Sequence, residues 1–346
     1  MFKSDGYEIH LIGAEVKPDD IGEDLHFNPI KYLKLHRLVR SVLHIPVSVI
    51  SLWLYCRKYK PNILFCVGGV FYNGLAILIC SKVFNIKCIV RTAEDHFNYW
   101  KYVSTLQGKL RHYLITNLLS LFVLKHVDYV LTVGVESQKY FSDKLGSKGN
   151  VFGIPGTIRE DDFFIPENRI DCKKEIGYKS EDQLILYVGA ISGVKGADML
   201  PDIIGNVLKK KPNAKFHIIG SETESRSKII NSIKDIGKAA VKINSPMNNR
   251  ELKKYYQAAD ALVFLTRVGV GYGLVNIEAT LCGLPIVAYN SGRDVKWFLG
   301  DNCKNSIEEI IDTIVDETYE QATIPANFKT VSVWKEHIAL FNNLFG

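Results

Sequence analysis

Tyr187-Val188-Gly189-Ala190-Ile191-Ser192-Gly193-Val194-Lys195-Gly196 and Val268-Gly269-Val270-Gly271-Tyr272-Gly273-Leu274-Val275-Asn276-Ile277-Glu278-Ala279 are the two stretches on which the fold turns. Each follows a short apolar run, Leu184–Val188 before the first and Ala261–Leu265 before the second. Each leads into residues whose apolar side chains recur at helical spacing. Strand, glycine turn and helix in that order form the repeating half of a parallel βαβ unit. The same alternation runs outward along the chain. Further strands are predicted at Glu8–Ile12, Ile63–Val67, Lys87–Arg91, Tyr129–Val133, Val151–Ile154, Lys215–Ile219, Val241–Ile243 and Pro285–Tyr289. Helical stretches such as Leu200–Lys209 and Glu251–Ala259 lie between them. The fold class is therefore α/β, with parallel sheets covered by helices on both faces. Pro155–Ser180 has little periodicity and predicts the join, which gives domains at 1–160 and 161–328 and a terminal helix at 329–346.

The two turns carry the candidate chemistry. In the first, Gly189 and Gly193 let the backbone approach a ligand closely. Lys195 adds its charge to the amide end of the next helix, which suits a pyrophosphate. The Gly-x-x-x-x-Gly-Lys-Ser/Thr spacing of a P-loop is absent. In the second, Gly271, Tyr272, Gly273 and Leu274 open a helix whose amides point into a cleft. Glu278, further along that helix, is placed to accept hydrogen bonds from paired sugar hydroxyls such as those of a ribose. Cys282-Gly283 ends the helix and Leu284-Pro285 begins the next strand. The spacing is Gly-x-Gly-x-Gly, the following strand ends at Tyr289-Asn290, and Asp294 falls too late to hold a ribose. These features exclude a nicotinamide fingerprint.

The 346 residues hold 43 Lys+Arg against 37 Asp+Glu, a net charge of +6, and 47% are apolar. That composition is globular and excludes wholesale disorder. Charge is unevenly placed: residues 1–160 hold 20 basic and 13 acidic side chains, the remainder 23 and 24. No acidic residue occurs between Leu25 and Ala93, and the basic residues of 31–91 predict a field that attracts phosphates or an anionic membrane face. No ladder of aromatic and basic residues accompanies it, so nucleic acid is not an expected partner. The seven cysteines are dispersed without a Cys-x-x-Cys pair, which predicts buried thiols, a reducing compartment and no metal site. No apolar run reaches the roughly 18 residues of a membrane span. Tyr113–Leu124 stops at Lys125, and Val42–Cys56 contains Pro46. Met1–Gly6 lacks a signal-peptide pattern, so a cytoplasmic protein, peripheral at the inner membrane face, is expected.

Taken together, the two turns resemble those of the group-1 (family-four-type) retaining glycosyltransferases, whose two facing Rossmann-like domains make the GT-B fold. The resemblance covers most of the chain. Gly6-Tyr7-Glu8-Ile9-His10 is similar to that family's first helix end and second strand, and Asp128–Val133 to the strand closing the first domain. Ile154-Pro155 with Asp162 and Phe164 resembles the interdomain turn, and Gly283-Leu284-Pro285-Ile286-Val287 the strand after the donor motif. Trp334 and the helix to Phe345 resemble the helix that crosses back onto the first domain. The resemblance implies a nucleoside diphosphate sugar as donor substrate, no other cofactor and no metal. It also implies a glycan or lipid-linked acceptor entering from the first domain. It assigns Lys195 to the diphosphate, Gly189, Gly193 and Gly271–Leu274 to amides near the donor, and Glu278 to the ribose.

Three departures accompany it. Ala190 stands where the family usually has an arginine, Val270 where it has the first of two glutamates, and Ala93 near the place of a common histidine. Glu94, Asp95 and His96, with Arg91 beside them, are candidates to orient or deprotonate the acceptor, and equally to cap the next helix. Tyr99, Trp100 and Tyr102 suit stacking on a sugar or packing in a core. Compared with the family, the chain begins after the first strand and its glycine loop, roughly 30 residues short, which implies a first domain lacking that strand. Besides a hexosyltransferase, the sequence admits a catalytically impaired binding or scaffold protein, for which Ala190 and Val270 speak. An epimerase acting on a nucleotide sugar fits less well, since it wants further acid–base residues.

Overall fold

Apolar runs bounded by glycine, proline and asparagine become strands, and the amphipathic stretches between them become helices that cover the strands. The computed structural model describes residues 10–13, 26–29, 37–93, 95–103, 105–146, 150–156, 163–221, 226–237, 239–268, 271–325, 328 and 330–345. In the first half the elements are β1 (His10–Gly13), β2 (His26–Pro29), α1 (Arg37–Tyr59), β3 (Ile63–Val67), α2 (Tyr72–Phe84) and β4 (Lys87–Arg91). A 3-10 segment (His96–Tyr102) follows, then α3 (Leu106–Tyr113), a π-helical stretch (Leu114–Leu119) and α4 (Ser120–His126). β5 (Tyr129–Thr132), α5 (Val135–Leu145) and β6 (Val151–Gly153) complete this half.

The second half runs α6 (Arg169–Glu175), β7 (Gln183–Val188), α7 (Leu200–Lys210), β8 (Ala214–Ile219), α8 (Arg226–Gly237), β9 (Val241–Asn244), α9 (Asn249–Ala258) and β10 (Ala261–Phe264). It continues with α10 (Leu274–Leu281), β11 (Ile286–Tyr289), α11 (Arg293–Leu299), β12 (Cys303–Lys304), α12 (Ile307–Asp316) and α13 (Thr330–Phe345).

Two parallel sheets result, ordered β3-β4-β5-β6 and β12-β11-β10-β7-β8-β9. β1 and β2 pair in parallel with each other from His10↔His26 to Gly13↔Pro29. β2 and β12 were not predicted, because neither four residues of His-Phe-Asn-Pro nor two of Cys-Lys form an apolar run. Pro46 lies inside α1 without ending it. A proline there costs about 3 kcal/mol, and the packing of α1 on α2, with Trp53 and Phe84 rings 6.2 Å apart, opposes that cost. Among the described residues no helix is long and apolar enough to cross a membrane.

The larger sheet is buried on both faces. Leu184, Leu186, Leu262 and Ile286 pack toward α9 and α10, and Ile185, Phe216, Val263 and Val287 toward α7, α8 and α12. Ile89, Leu131 and Ile154 meet Val333, Leu340 and Phe341 of α13, so the last helix covers one face of the smaller sheet. Local signals set the helix ends. Ser306 accepts from the Glu309 amide at 3.1 Å while Glu309 accepts from the Asn305 amide at 2.9 Å, which starts α12. Parallel strands of this kind deliver their carboxyl ends, and the loops that follow, to one edge of each sheet.

Candidate donor site and the domain joint

The turn after β7 is held from two sides. Tyr187 lies within bonding distance of two loop carbonyls, with its hydroxyl 3.1 Å from the Ala190 oxygen and 3.2 Å from that of Lys195. Burial of that phenol raises its pKa. From β10, Arg267 donates to the Gly193 carbonyl at 3.2 Å and to both carboxylate oxygens of Asp198 at 2.6 and 2.7 Å. The Arg267 amide bonds the Val194 carbonyl. Gly196 has φ +69°, and a Cβ there would lie 2.0 Å from the Leu265 carbonyl oxygen, so the loop seats directly on the end of β10. Gly189 and Gly193 are half-buried on its surface. Lys195 is half-buried too, and among the described residues its ammonium has no ion-pair partner. A fixed loop thus presents one uncommitted cation.

The turn before α10 has a different fate. The Gly271 amide donates to the Ala93 carbonyl of the first domain at 3.4 Å. A Cβ on Gly271 would lie 1.9 Å from Val133 Cγ2. Tyr272 is buried against Phe298 and Phe328, the latter ring 4.2 Å away and edge-on. Its hydroxyl reaches Gly134, where an added Cβ would come within 2.3 Å of it. Gly273, with φ +75°, begins α10 without a side-chain cap, and Leu274 is exposed beside Gly156. Glu278 is buried and accepts from the Tyr256 hydroxyl at 2.8 Å. Burial raises its pKa, and the tyrosine bond only partly opposes this. The expected row of amides aimed at a donor is therefore split: Gly271 and Tyr272 join the domains, and Gly273–Leu274 keep an open helix end.

The first-domain candidates are likewise engaged. Asp95 is buried and accepts from the Phe97 amide, the Asn98 side chain, the Tyr140 hydroxyl and Arg293 of α11, the last at 2.8 Å. It caps the 3-10 segment, as one of the two readings of 94–96 foresaw. The Arg293 guanidinium stacks 3.6 Å above the Tyr140 ring. Glu94, Val270, Asp162 and the side chains of His96 and Trp334 lie outside the described residues. Arg91 donates to the Ile154 and Pro155 carbonyls and bonds His337 of α13 at 2.9 Å. Among the described residues no three His, Cys, Asp or Glu side chains gather as a metal cage.

Reading the sequence missed Arg267 and Arg293, and weighed Asp294 only as a ribose ligand. Asp294 is fully buried and accepts from the Glu136 and Ser137 amides at 3.1 and 3.2 Å and from the Ser137 hydroxyl. It caps α5 from the other domain, since Gly134 at the helix start has no side chain to do so. Burial raises the Asp294 pKa against the pull of those bonds. A usable signal existed. All three residues lie just past the ends of β10 and β11, the edge where open parallel sheets place ligands and joints.

The sequence profile described as glycosyl transferases group 1 matches residues 168–298, which include both turns. A D-inositol 3-phosphate glycosyltransferase of Segniliparus rotundus is 30% identical over 133 residues, covering 37% of this chain and 29% of the relative. The match thus spans less than a third of that relative's length. Among solved structures, a sucrose-phosphate synthase from Thermosynechococcus elongatus superposes with a TM-score of 0.73 at 16% identity, covering 99% of this chain and 90% of the other. HepE of Anabaena, solved in complex with UDP-glucose, gives 0.71 at 15% identity, covering 92% and 86%. Residues 168–298 thus match the group 1 glycosyl transferase model, and the chain has the two-domain GT-B fold of these solved structures.

Proposed function

We propose that the protein is a retaining, metal-independent hexosyltransferase that moves a sugar from a nucleoside diphosphate sugar to a glycan or lipid-linked acceptor. The observation that carries this reading is the uncommitted Lys195 ammonium on a loop locked by Tyr187 and Arg267. Leaving-group chemistry needs positive charge where the diphosphate departs, held in place before reaction. Lys195 supplies the charge, and the uncapped amide end of α10 lies in the same domain to receive a phosphate or sugar oxygen. The acceptor oxygen attacks from the face the diphosphate leaves. Glu278, already bonded to Tyr256, holds ribose hydroxyls through its remaining acceptor capacity. Asp95 works through Arg293, and Glu94 and His96 remain candidates for the acceptor side. The basic residues of 31–91 favour an anionic inner membrane face as the place where a lipid-linked acceptor is met.

The structural neighbour HepE has been solved with UDP-glucose, which makes uridine diphosphate sugars the first donors to try. Thermal-shift screening against uridine, guanosine and adenosine diphosphate sugars tests the reading. One nucleotide is expected to raise the melting temperature in proportion to its affinity. Failure of all three sinks the reading. Binding with neither transfer nor hydrolysis establishes the impaired scaffold instead, for which Ala190 and the engaged Glu278 speak.

A further inference from the structure

From α3 through the π-helical stretch the chain has its polarity reversed, while Val123 and Leu124 of α4 turn into the core. Thr116 and Ser120 are buried, and their hydroxyls bond the carbonyls of His112 and Ile115. Asn117 reaches inward to the Phe97 carbonyl at 3.2 Å. The large apolar side chains face out: Leu106 is 83% exposed, Leu110 60%, Leu118 55% and Phe122 51%, with Tyr113, Leu114 and Leu119 between them. α3 has no buried residue at all. In an α-helix a four-residue spacing drifts by about 40° per step, so such a stripe would wind off one face. The π stretch, closing i→i+5, underwinds the chain over Leu114–Leu119 and so opposes that drift. A solvated helix normally shows the opposite arrangement.

The stripe does not stand alone. Ile79 and Val83 of α2 and Ile50 and Leu54 of α1 are also exposed. Charge around them has one sign. Between residues 25 and 127 the chain has 14 Lys+Arg and only Glu94 and Asp95 as acids. Asp95 is buried in its ion pair with Arg293. From His96 to Val127 there is no acid, while Lys101, Arg111 and Lys125 are exposed along or beside the stripe. The stripe also starts near the cleft: Tyr102, four residues before Leu106, lies 5.8 Å from the Arg267 guanidinium of the second domain.

We infer that residues 106–126 form an interfacial helix that inserts its leucine stripe into an anionic bilayer surface, with α1 and α2 extending the contact. Apolar side chains flanked by cations, with no acid between His96 and Val127, match such a surface, whereas a protein partner of mixed charge would call for both signs. This goes beyond attraction by the basic block, because it assigns the binding energy to named apolar side chains on another element. The inference does not depend on turnover, and its test reads binding alone.

The test is sedimentation of the full chain with vesicles of phosphatidylcholine, with or without phosphatidylglycerol. Binding is expected only with phosphatidylglycerol. The Leu110→Ser/Leu118→Ser variant should lower partitioning at least about tenfold, because each leucine contributes a buried apolar side chain. Arg111→Ser/Lys125→Ser should lower it about tenfold and flatten its salt dependence. All four side chains are exposed, so both variants should melt with the wild type. With brominated lipid, tryptophan fluorescence of the unaltered chain should be quenched, since Trp100 lies 5.5 Å from Tyr113 of the stripe. Wild-type protein left in the supernatant, or leucine variants that bind as well as wild type, would overturn the inference. So would a dimer lost on leucine substitution without any vesicle binding, which would make the occupant a second copy.

Discussion

The two glycine turns of the second domain begin alike and end in different roles. The 189–196 turn is tied down by its own domain, through Tyr187, Arg267 and the close seat of Gly196 on Leu265, and among the described residues Lys195 has no ion-pair partner. The 271–274 turn is tied to the other domain, through Ala93, Val133 and Gly134, and spends part of its backbone on the joint. A glycine turn after a strand therefore permits close approach without saying of what. The partner is set by which neighbour comes within reach.

Lys195→Ala gives the sharpest contrast between the turns. Transferase activity should fall by about 10²–10³-fold, the usual loss when one preorganised group at a developing charge is removed. The melting temperature should not move, because among the described residues the ammonium holds no structural partner. A variant that unfolds while keeping its specific activity would reverse the roles assigned to the turns.

Acidification should separate the regions next. His217 on β8, in register with Leu186 of β7, is buried with Tyr178 and Asn244 as ring partners, and burial lowers its pKa to about 4 from 6.5 against the opposing bond to Asn244. Its folded pKa is depressed, so it supports the fold above pH 6.5 and that support is lost as pH falls through about 4. The loss amounts to roughly 3 kcal/mol. Glu278 and Asp294 at the second turn and the joint have raised pKa values, so their contribution has the opposite sign and grows as pH falls. Urea denaturation of His217→Gln between pH 7 and 4 should show a flatter acid loss than wild type, and Glu278→Gln a steeper one. Parallel curves for all three proteins would contradict the pairing of burial with titration.

Gly134→Ala should destabilise the joint by about 1–3 kcal/mol, because its Cβ would lie 2.2 Å from Asp294 Oδ1. Gly193→Ala is the matching change on the open turn. Its nearest neighbour would be Asp198 Oδ1 at 3.9 Å, so the stability change should stay under about 0.5 kcal/mol. Chemical denaturation of the pair reads both. Equal effects would erase the distinction between an open and a docked turn.

Strand positions were legible because burial leaves a local trace. β3 and β4 coincide with the apolar runs Ile63–Val67 and Lys87–Arg91, and β7, β8, β10 and β11 differ from prediction by a residue at an end. The sequence shows a lysine among the glycines of the first turn, and the structure places Lys195 half-buried on that loop. Asp95 was half legible: its place before a helical segment pointed to a cap, but nothing local pointed to Arg293, 198 residues away. The role of Asp294 was hidden for the same reason, its acceptor contacts lying 157 and 158 residues back at the start of α5.

By itself the amino-acid order determined the alternation of strand and helix, the parallel sheets and the cationic glycine turn. Those follow from periodicities of two and 3.6 residues and from the conformational range of glycine, all properties of neighbours in the chain. Only the tertiary structure decided that one glycine turn is held by its own domain and that the other docks on the first domain. It alone also decided that a carboxylate of α11 caps α5 and that Leu106, Leu110, Leu114, Leu118 and Leu119 point outward. Those outcomes depend on which surfaces dock, and docking brings together groups whose separation along the chain carries no periodic signal.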